Sequence, residues 1–366
     1  MKKIIFGITG LTLGGAERVL VDIANKLVDE YEITIFTIYS DGELEKQLSD
    51  KVKIKTLYNF SYNSLTRLGK MLMPIKFFFN KNHVYKKYIK NKYDTEIAFL
   101  EGPITNLFAI SNNNVKKIAW VHNDILLVFG SGIKSKLKKI LNKRVYEKYE
   151  KLIFVSKDNL EKFNKVYNIN VDKQVIYNYI DKDNVIIKAN DGTEQINFNK
   201  EIPTFLSVSR LVEQKAIDRF VNVHAKLIGE GYEHKVYIIG DGPLKNQLEQ
   251  QIEKLNVKDS FILLGKKENP YPYIKKCDVF CLLSYFEGYG MVIEEAKILS
   301  KYIAITNTAA REAINGYEYS RIFENSDIAI YEGLKEIIVK KEYLHENSDL
   351  NYNNIEILDK IKELIG

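Results

Sequence analysis

The segment FEGYGMVIEEA, residues 286–296, sets three carboxylates among glycines and apolar residues. Glu287 stands at its start, and the pair Glu294 and Glu295 stands near its end. The glycines between them let a backbone approach a ligand closely, and a helix beginning near Gly290 would direct its first N–H groups at an anion. Either some of these carboxylates are solvated surface, or they face a ligand together.

Two cations follow a β-rich run in the second half of the chain. Arg210 comes close after the predicted strand Thr204–Val208, and Lys215 stands five residues later. Ligands of open α/β sheets bind at the carboxyl ends of the strands. Arg can bind a diphosphate through two parallel hydrogen bonds, and Lys acts as a point charge. The alternative is that both side chains are solvated surface.

Two glycine loops could hold an anion or a ribose. Gly14 and Gly15 lie with Glu17 between the first predicted strand and the first helix, and Gly240 and Asp241 follow the strand Lys235–Ile239. Neither spacing is GxGxxG or GxxxxGK[ST], so the dinucleotide and P-loop signatures are absent. Each stretch could also be a tight turn without a ligand.

His122 ends the apolar run IAWVH at the carboxyl end of a predicted strand. A catalytic role requires that its ring face the substrate. The alternative is a packing residue beside Trp120.

Alternating strands and amphipathic helices must position these residues. This pattern predicts parallel sheets in an α/β protein. The first series comprises strands Lys3–Ile8, Glu32–Ile38, Thr95–Leu100, Lys117–Val121 and Lys151–Val155, with a helix over Ala16–Val28. The second comprises strands Thr204–Val208, Lys235–Ile239, Phe261–Leu264, Val279–Leu283 and Tyr302–Thr306, with helices over Asp218–Ile228, Leu244–Leu255 and from about Gly290.

We therefore predict two doubly wound parallel-sheet domains with a cleft between them. The domains are residues 1–190 and 202–345, joined by a polar linker, 191–201, and followed by a helical tail, 346–366, that could pack back on the first domain. A chain of 366 residues suits two domains.

Composition narrows the class of protein. The net charge of +6 is mild, and Cys277 and Cys281 are expected to be core thiols in a reducing compartment. The N-terminus is predicted to be a strand and not a signal peptide, and no apolar run is long enough to span a membrane. A cytoplasmic protein is expected.

A basic and aromatic stretch, Thr66–Lys92, carries eight Lys or Arg and no acid, and Lys134–Lys151 is a second Lys-rich stretch. Basic residues beside apolar ones suit an anionic membrane surface. The alternative is a core helix with a solvated lysine face. Nucleic acid is not expected, because no nucleic-acid motif accompanies the charge.

Taken together, these motifs resemble the retaining glycosyltransferases of family 4, glycosyl transferases group 1, which have the GT-B fold of two Rossmann-like domains facing a cleft. The resemblance spans almost the whole chain. The matching residues are Gly14-Gly15-Ala16-Glu17, Val121-His122, Val155-Ser156, Asn178, Ser209-Arg210-Leu211 with Lys215, Gly240-Asp241-Gly242-Pro243, Leu264-Gly265, and Phe286-Glu287-Gly288-Tyr289-Gly290 running to Glu295-Ala296.

The resemblance implies sugar transfer from a nucleotide diphosphate sugar, with retention and without a metal. The implied catalytic residues are His122, Arg210, Lys215 and Glu287. The implied donor contacts are Gly14, Gly15, Ser209, Arg210, Lys215, Gly240, Asp241, Lys266, Glu287, Gly288, Tyr289, Gly290, Met291, Val292 and Glu295. The implied acceptor contacts are Gly15, Glu17, His122 and Asn123.

Within that set, Arg210 and Lys215 are expected on the diphosphate, Glu287 on the donor sugar and Glu295 on the ribose. Glu294, one step of about 100° around the helix from Glu295, is expected to be a surface carboxylate. The chain has Lys215-Ala216 where the family often has Lys-Gly, a departure near the expected donor pocket.

The expected function is transfer of a hexose or N-acetylhexosamine, from a UDP-sugar, to a lipid-linked saccharide or glycolipid acceptor. Such an enzyme would build a capsule, exopolysaccharide or teichoic-acid type polymer, and would sit peripherally on the inner face of the membrane. The alternatives are a sugar-nucleotide epimerase of the same fold and a non-catalytic partner subunit of a glycosyltransferase complex.

Overall fold

The computed structural model describes residues 1–40, 42–110, 115–122, 133–191, 198, 201–344 and 354–366, with the backbone alone over 133–138. These residues form two compact units. The first is Met1–Ile180 together with Asn354–Gly366, and the second is Asp181–Asn353.

The first unit is built on a parallel sheet of seven strands in the order β3-β2-β1-β4-β5-β6-β7. Its central strands are buried on both faces, so they are continuous apolar runs, as the sequence showed. The strands are β1 (Lys3–Ile8), β2 (Glu32–Tyr39), β3 (Lys53–Tyr58), β4 (Thr95–Ala98), β5 (Lys116–Val121), β6 (Lys151–Phe154) and β7 (Asp172–Val175).

Helices cover both faces of this sheet, as doubly wound folds require. Large aromatic side chains fill the core, among them Phe6, Trp120 and Phe154. The described helices of this part of the chain are α1 (Gly15–Leu27), α2 (Arg67–Tyr88), α3 (Pro103–Phe108), α4 (Ile133–Tyr146) and α5 (Lys157–Val166).

The second unit repeats the plan with a parallel sheet of six strands in the order β10-β9-β8-β11-β12-β13. The strands are β8 (Thr204–Val208), β9 (Lys235–Ile239), β10 (Phe261–Gly265), β11 (Val279–Leu282), β12 (Tyr302–Thr306) and β13 (Ser320–Phe323). The helices are α6 (Lys182–Ala189), α7 (Ile217–Gly229), α8 (Lys245–Lys254), α9 (Tyr271–Lys276), α10 (Met291–Ile298) and α11 (Asp327–Lys340).

Two doubly wound parallel-sheet domains were predicted, and both are confirmed. The units divide one helix earlier than the predicted boundary at residue 190. Helix α6 belongs to the second unit, where the Asn269 side-chain amide donates to the Lys188 carbonyl oxygen at 2.8 Å.

The C-terminal helix α12 (Ile355–Ile365) belongs to the first unit. Its Ile361, Leu364 and Ile365 are buried, and the Thr95 hydroxyl donates to the Ile365 carbonyl oxygen at 3.4 Å. The tail helix thus packs on the first unit, the place that the sequence analysis gave as possible, whereas the residues that it contacts were not readable from the sequence.

Helix α2 carries two apolar faces. Phe77, Tyr85 and Ile89 are buried in the core, which is the alternative that the sequence left open. A second face, here called the outer face of α2, is exposed and consists of Leu68, Met71, Leu72, Ile75, Phe78 and Phe79. The helix therefore has both a core face and an exposed apolar face.

Both cysteines are buried, as expected, and burial raises the pKa of the Cys277 thiol to about 12. Among the helices described here, none combines the length and apolar character needed to cross a bilayer.

Candidate active site

The loops that follow β8, β9 and β10 meet at one edge of the second sheet, because the strands are parallel. The Ser209 backbone N–H donates to the Ile239 carbonyl oxygen at 2.9 Å, and the Gly240 N–H donates to the Gly265 oxygen at 2.9 Å. The predicted donor residues Ser209 and Gly240 therefore lie side by side, and Lys266 directly follows Gly265.

Glycine is required where these loops touch. Gly240 has φ +150°, and a Cβ there would lie 1.8 Å from the Ser209 carbonyl oxygen. A Cβ on Gly242 would lie 2.4 Å from the Leu211 oxygen. The Asp241 carboxylate accepts from the Gly242 N–H at 2.8 Å, so it stabilises its own loop. The GDGP sequence thus packs two loops together, in addition to any ligand contact.

Lys215 and Glu287 form an ion pair in this region. The Lys215 ammonium nitrogen lies 2.5 Å from Glu287 Oε1. The Ser284 hydroxyl donates to the same oxygen at 2.6 Å. Glu287 is only 6% exposed, so its charge is held by these two neighbours. The structure therefore brings together two of the predicted catalytic residues and adds Ser284, which the sequence reading missed.

The other predicted cations of this unit remain at the surface. Arg210 is exposed just after β8, and Lys266 is exposed just after β10. The structure does not draw Arg210 into the Lys215–Glu287 pair. Both side chains are positioned to meet a ligand in solvent at the carboxyl edge of the sheet.

Ala216 lies in the left-handed region, with φ +49° and ψ +39°. This conformation favours glycine. The Lys-Gly pattern of the family thus has a backbone reason, and the loop that presents Lys215 takes this path here with alanine.

A buried arginine anchors the loop that carries Glu287. Arg219 donates to Asn325 Oδ1 at 2.8 Å, and its guanidinium lies 4.2 Å from the centroid of the Tyr285 ring. The Asn325 amide in turn donates to the Tyr285 carbonyl oxygen at 2.8 Å. Gln214 holds the same loop by accepting from the Tyr285 N–H and donating to the Phe286 oxygen, both at 2.9 Å. These anchors come from distant parts of the chain, so no local motif revealed them.

Helix α10 begins directly after this loop. Its N-cap Gly290 has φ +79°, and a Cβ there would lie 3.0 Å from the Ile293 side chain. Gly288 and Tyr289 precede this cap, and Met291 and Val292 form the first turn. The first N–H groups of a helix are free to bind an anion. This geometry agrees with the predicted start near Gly290.

Glu295 is buried within α10 at 8% exposure and accepts from the Tyr271 hydroxyl at 3.0 Å. The sequence reading did not identify Tyr271. A carboxylate has about four acceptor sites, so the bond from Tyr271 is compatible with further donors, such as sugar hydroxyls.

The prediction that Glu294 is a surface carboxylate was wrong. Glu294 is buried, accepts from the Tyr289 hydroxyl at 2.6 Å and lies 3.0 Å from the Lys297 ammonium nitrogen. The physical reason is that Lys297, one turn along the helix, compensates its charge. This lysine was the signal available in the sequence.

The first unit presents its own predicted residues at the carboxyl edge of its sheet. Gly14 is the N-cap of α1, and Gly15 is its first residue. A Cβ on Gly14 would lie 2.1 Å from Glu17 Oε2, so the Glu17 carboxylate folds over the glycine. Glutamate at this third helical position is typical of a capping interaction. Glu17 thus stabilises the helix start as well as lying near any ligand.

His122 follows β5 at the same edge. Its backbone N–H donates to Glu101 Oε1 at 2.7 Å, and its carbonyl oxygen accepts from the Asn159 amide at 3.3 Å. Its ring lies 4.8 Å from the Phe99 ring, between centroids. Burial lowers the pKa of His122 to about 3, so the ring is neutral near pH 7. Nε2 is buried without a hydrogen-bond partner among the described residues.

The predicted acceptor contact Asn123 lies outside the described residues.

Comparison with known proteins matches both parts of the chain. The family model described as Glycosyltransferase Family 4 matches residues 13–184, and that described as Glycosyl transferases group 1 matches residues 190–354.

Two relatives come from Campylobacter jejuni. One is an N-acetylgalactosamine-N,N'-diacetylbacillosaminyl-diphospho-undecaprenol 4-alpha-N-acetylgalactosaminyltransferase, 27% identical over 99% of this chain and 97% of that protein. The other is a GalNAc-alpha-(1->4)-GalNAc-alpha-(1->3)-diNAcBac-PP-undecaprenol alpha-1,4-N-acetyl-D-galactosaminyltransferase, 28% identical over 81% of this chain and 77% of that protein.

Among solved structures, the HepE protein of Anabaena in complex with UDP and glucose is similar, with a TM-score of 0.73 and 18% identity over 99% of both chains. At that identity the likeness shows the fold alone.

Proposed function

Because this chain belongs to the glycosyltransferases of group 1 and family 4, with the GT-B fold, we propose that it is a retaining enzyme using a UDP-sugar. The sugar transferred is a hexose or N-acetylhexosamine. The acceptor is a lipid-linked saccharide or glycolipid on the way to a surface polysaccharide of capsule, exopolysaccharide or teichoic-acid type.

The observation that carries the proposal is the cluster of Lys215, Glu287 and Ser284 beside the start of α10. A cation, a buried carboxylate and free helical N–H groups stand at one sheet edge, where α/β proteins bind ligands. A nucleotide diphosphate sugar needs all three, for its diphosphate and its sugar hydroxyls.

The proposed step breaks the bond between the anomeric carbon and the donor diphosphate. A new bond from the acceptor hydroxyl oxygen forms on the same face of the sugar, and the hydroxyl proton passes to the departing phosphate oxygen. Negative charge grows on the diphosphate during this step. Lys215 and Arg210, together with the N–H groups of α10, stabilise that charge, so no metal is required.

Glu287 and Glu295 then serve the neutral parts of the donor. Glu287 accepts from hydroxyls of the sugar while Lys215 and Ser284 hold it in place. Glu295, fixed by Tyr271, accepts from the ribose hydroxyls. Neutral His122 acts as a hydrogen-bonding group beneath the reacting sugar and not as a cation, since burial suppresses its protonation.

The lipid-linked acceptor is supported by the relatives. Both Campylobacter jejuni proteins are named for transfer to diphospho-undecaprenol-linked saccharides, and each aligns with more than two thirds of this chain. Acceptors of this kind stay in a membrane, so the enzyme must work at a membrane surface.

The outer face of α2 supports such a location. Phe79 is 78% exposed and Leu68 and Met71 are 61% exposed, on a helix that also carries Lys86 and Lys87 in its last turn. Aromatic and aliphatic side chains beside lysines bind anionic lipid surfaces. The proposed location is peripheral, on the cytoplasmic face of the membrane.

The test is a panel of UDP-, GDP- and ADP-sugars, with nucleotide release followed with and without a polyprenyl-diphosphate-linked saccharide. The proposal expects acceptor-dependent release of UDP, persistence in EDTA and an unchanged anomeric configuration by NMR. An altered sugar nucleotide without acceptor would indicate an epimerase. Silence with every donor, together with no UDP binding by calorimetry, would indicate a non-catalytic subunit and would overturn the proposal.

A further inference from the structure

A cavity of about 330 Å³ opens between α2, α3 and α4, entirely within the first unit. Its apolar walls are Pro74, Phe77 and Phe78 from α2, Pro103 from α3 and Tyr146 from α4. Pockets for small ligands range from about 300 to 1,000 Å³. This cavity is therefore large enough for a short apolar segment, and too small for a long chain.

Most polar groups of the cavity wall are engaged with the protein itself. The Asn106 amide donates to the Gly102 carbonyl oxygen at 2.8 Å. Glu101 Oε1 accepts from the backbone N–H of His122 at 2.7 Å. The cavity thus offers apolar surface to a ligand, and Glu101 joins it to His122, a predicted acceptor contact.

A positive charge stands in the cavity wall. The Lys81 ammonium nitrogen lies 4.3 Å from the centroid of the Phe78 ring. Burial lowers the pKa of Lys81, and repulsion from Lys148 lowers it further. Lys81 lines the cavity, and the exposed Lys148 is close enough to repel it, so an anion bound beside Lys81 would relieve the repulsion between the two ammonium groups.

The outer face of α2 continues from the cavity. Phe78 contributes to both, since it lines the cavity and is 54% exposed. Exposed Phe79 contacts the Phe78 ring, with 5.8 Å between the ring centroids, and exposed Ile75 lies one turn before Phe78 on the same helix. The cavity, the lysines and this face are arranged for a molecule with an anionic head and a long apolar tail.

We propose that this cavity binds the first isoprene units of a polyprenyl diphosphate, with the diphosphate beside Lys81 and Lys148. The inference rests on the proposed function, because it assigns this molecule as the lipid carrier of the acceptor. The rest of the chain lies along the outer face of α2 towards the membrane.

Binding of farnesyl diphosphate by calorimetry tests the site without needing an acceptor saccharide. Farnesyl diphosphate should bind at least tenfold more tightly than inorganic diphosphate, and more tightly than dodecyl phosphate. Phe78→Ser should weaken its binding about tenfold, since one aromatic contact surface is lost. Ile140→Ser is the control, because Ile140 is an exposed apolar residue of α4 that neither lines the cavity nor belongs to the outer face of α2. It should leave this binding unchanged. Lys81→Gln should weaken both diphosphates.

Several results would overturn the site. These are equal affinity for farnesyl and inorganic diphosphate, equal affinity for dodecyl phosphate, and equal effects of Phe78→Ser and Ile140→Ser. The outcome is separable from that of the donor panel. Sugar transfer without farnesyl diphosphate binding removes this site and keeps the proposed function. Farnesyl diphosphate binding with no activity on any donor keeps this site and removes the proposed function.

Discussion

The Lys215 ammonium nitrogen lies 2.5 Å from Glu287 Oε1, and this pair is buried beside the start of α10. The two residues are far apart in sequence and come from the loops after β8 and β11. Lys215 therefore serves two anions in the proposed reaction, the Glu287 carboxylate and the donor diphosphate. In that reaction the same ammonium group would hold both the carboxylate and the diphosphate in place.

Variants of Lys215 should show that its effect on kcat is distinct from its effect on the free energy of unfolding. We expect Lys215→Ala to lower kcat by about 10²–10³, the range for loss of one charge-stabilising group. It should also destabilise the fold by about 1–3 kcal/mol, because Glu287 loses its buried partner. The double variant Lys215→Ala/Glu287→Gln should recover stability in urea unfolding, yet stay inactive. Unchanged turnover in the single variant would refute the leaving-group role.

Ser284 should matter through Glu287 alone. Its hydroxyl donates to Glu287 Oε1 at 2.6 Å, and Ser284→Ala removes that bond without adding volume. We expect kcat/KM to fall about tenfold, the effect of roughly 1.4 kcal/mol, and the free energy of unfolding to fall by about 1–3 kcal/mol, because Glu287 loses one buried hydrogen bond but keeps Lys215. In the Glu287→Gln background, Ser284→Ala should then lower kcat/KM little further. Full additivity of the two losses would contradict positioning through Glu287.

The Tyr271 phenol is expected to affect donor binding more than turnover. Tyr271→Phe removes the donor that fixes Glu295, so UDP affinity should fall about three- to tenfold with kcat nearly constant. Tyr302→Phe is the matched control, since it also breaks a Tyr–Glu hydrogen bond in the same unit, but at the first residue of β12. Calorimetry with UDP should show no effect in the control.

A chain of buried histidines should make the fold sensitive to acid. His234 Nδ1 must donate to the Tyr232 carbonyl oxygen, so His234 Nε2 accepts from His224 Nδ1, each at 2.8 Å. Burial lowers the pKa of His224 to about 3 and that of His234 to about 4. Both values lie below the 6.5 of a free histidine.

As the pH falls from 6.5 towards 4, His224 and His234 therefore bind protons in the unfolded chain but not in the folded state. The free energy of unfolding is unaffected by these histidines above pH 6.5. As the pH falls below 6.5, it should decrease by about 1.4 kcal/mol per pH unit for each histidine. Urea unfolding at pH 7 and pH 5 measures this loss. His234→Gln should flatten the dependence, whereas the exposed His83→Gln should not. A curve that is flat between these pH values in the parent protein would contradict the account.

Membrane binding should depend on charge and on the outer face of α2 separately. Replacing Lys86, Lys87 and Lys90 by Gln should reduce binding to anionic vesicles, with the largest effect at low salt, since screening weakens surface electrostatics. Phe79→Ser should reduce binding at every salt concentration, because burial of apolar surface is not screened. Vesicle sedimentation measures both. Unaltered binding in the lysine variant would favour a solvated face.

Central strands were predictable from the sequence, whereas among the described edge strands only β10, an apolar run, was predicted. Strands such as β1, β5 and β11 are buried on both faces, so they read as apolar runs. By contrast β3, β7 and β13 lie at the edges of their sheets and have mostly polar or half-exposed residues, as in DKQV for β7. Their identity depends on the neighbouring strand, which a local pattern cannot contain.

The residues of the site also divide into those that were predictable from the sequence and those that were not. Glu287, Lys215 and the glycines stand in local motifs, so their types and spacing pointed to a ligand. Ser284, Tyr271 and Arg219 act through contacts that only the folded chain creates, as when Arg219 reaches Asn325. The burial of Glu294 was predicted wrongly because the helical angle gives only the direction of its side chain. Whether the side chain is buried depends on which residues pack against it.

The tail helix α12 has a consequence for how the protein forms. Residues 1–180 are synthesised before the second unit, yet their unit lacks α12, and the Thr95 hydroxyl lacks its bond to Ile365, until residues 354–366 have also been made. The second unit is one uninterrupted segment and can close as soon as it emerges. The first unit is thus completed only after the second unit has been synthesised, and until then the nascent chain exposes to chaperones the surface that α12 covers.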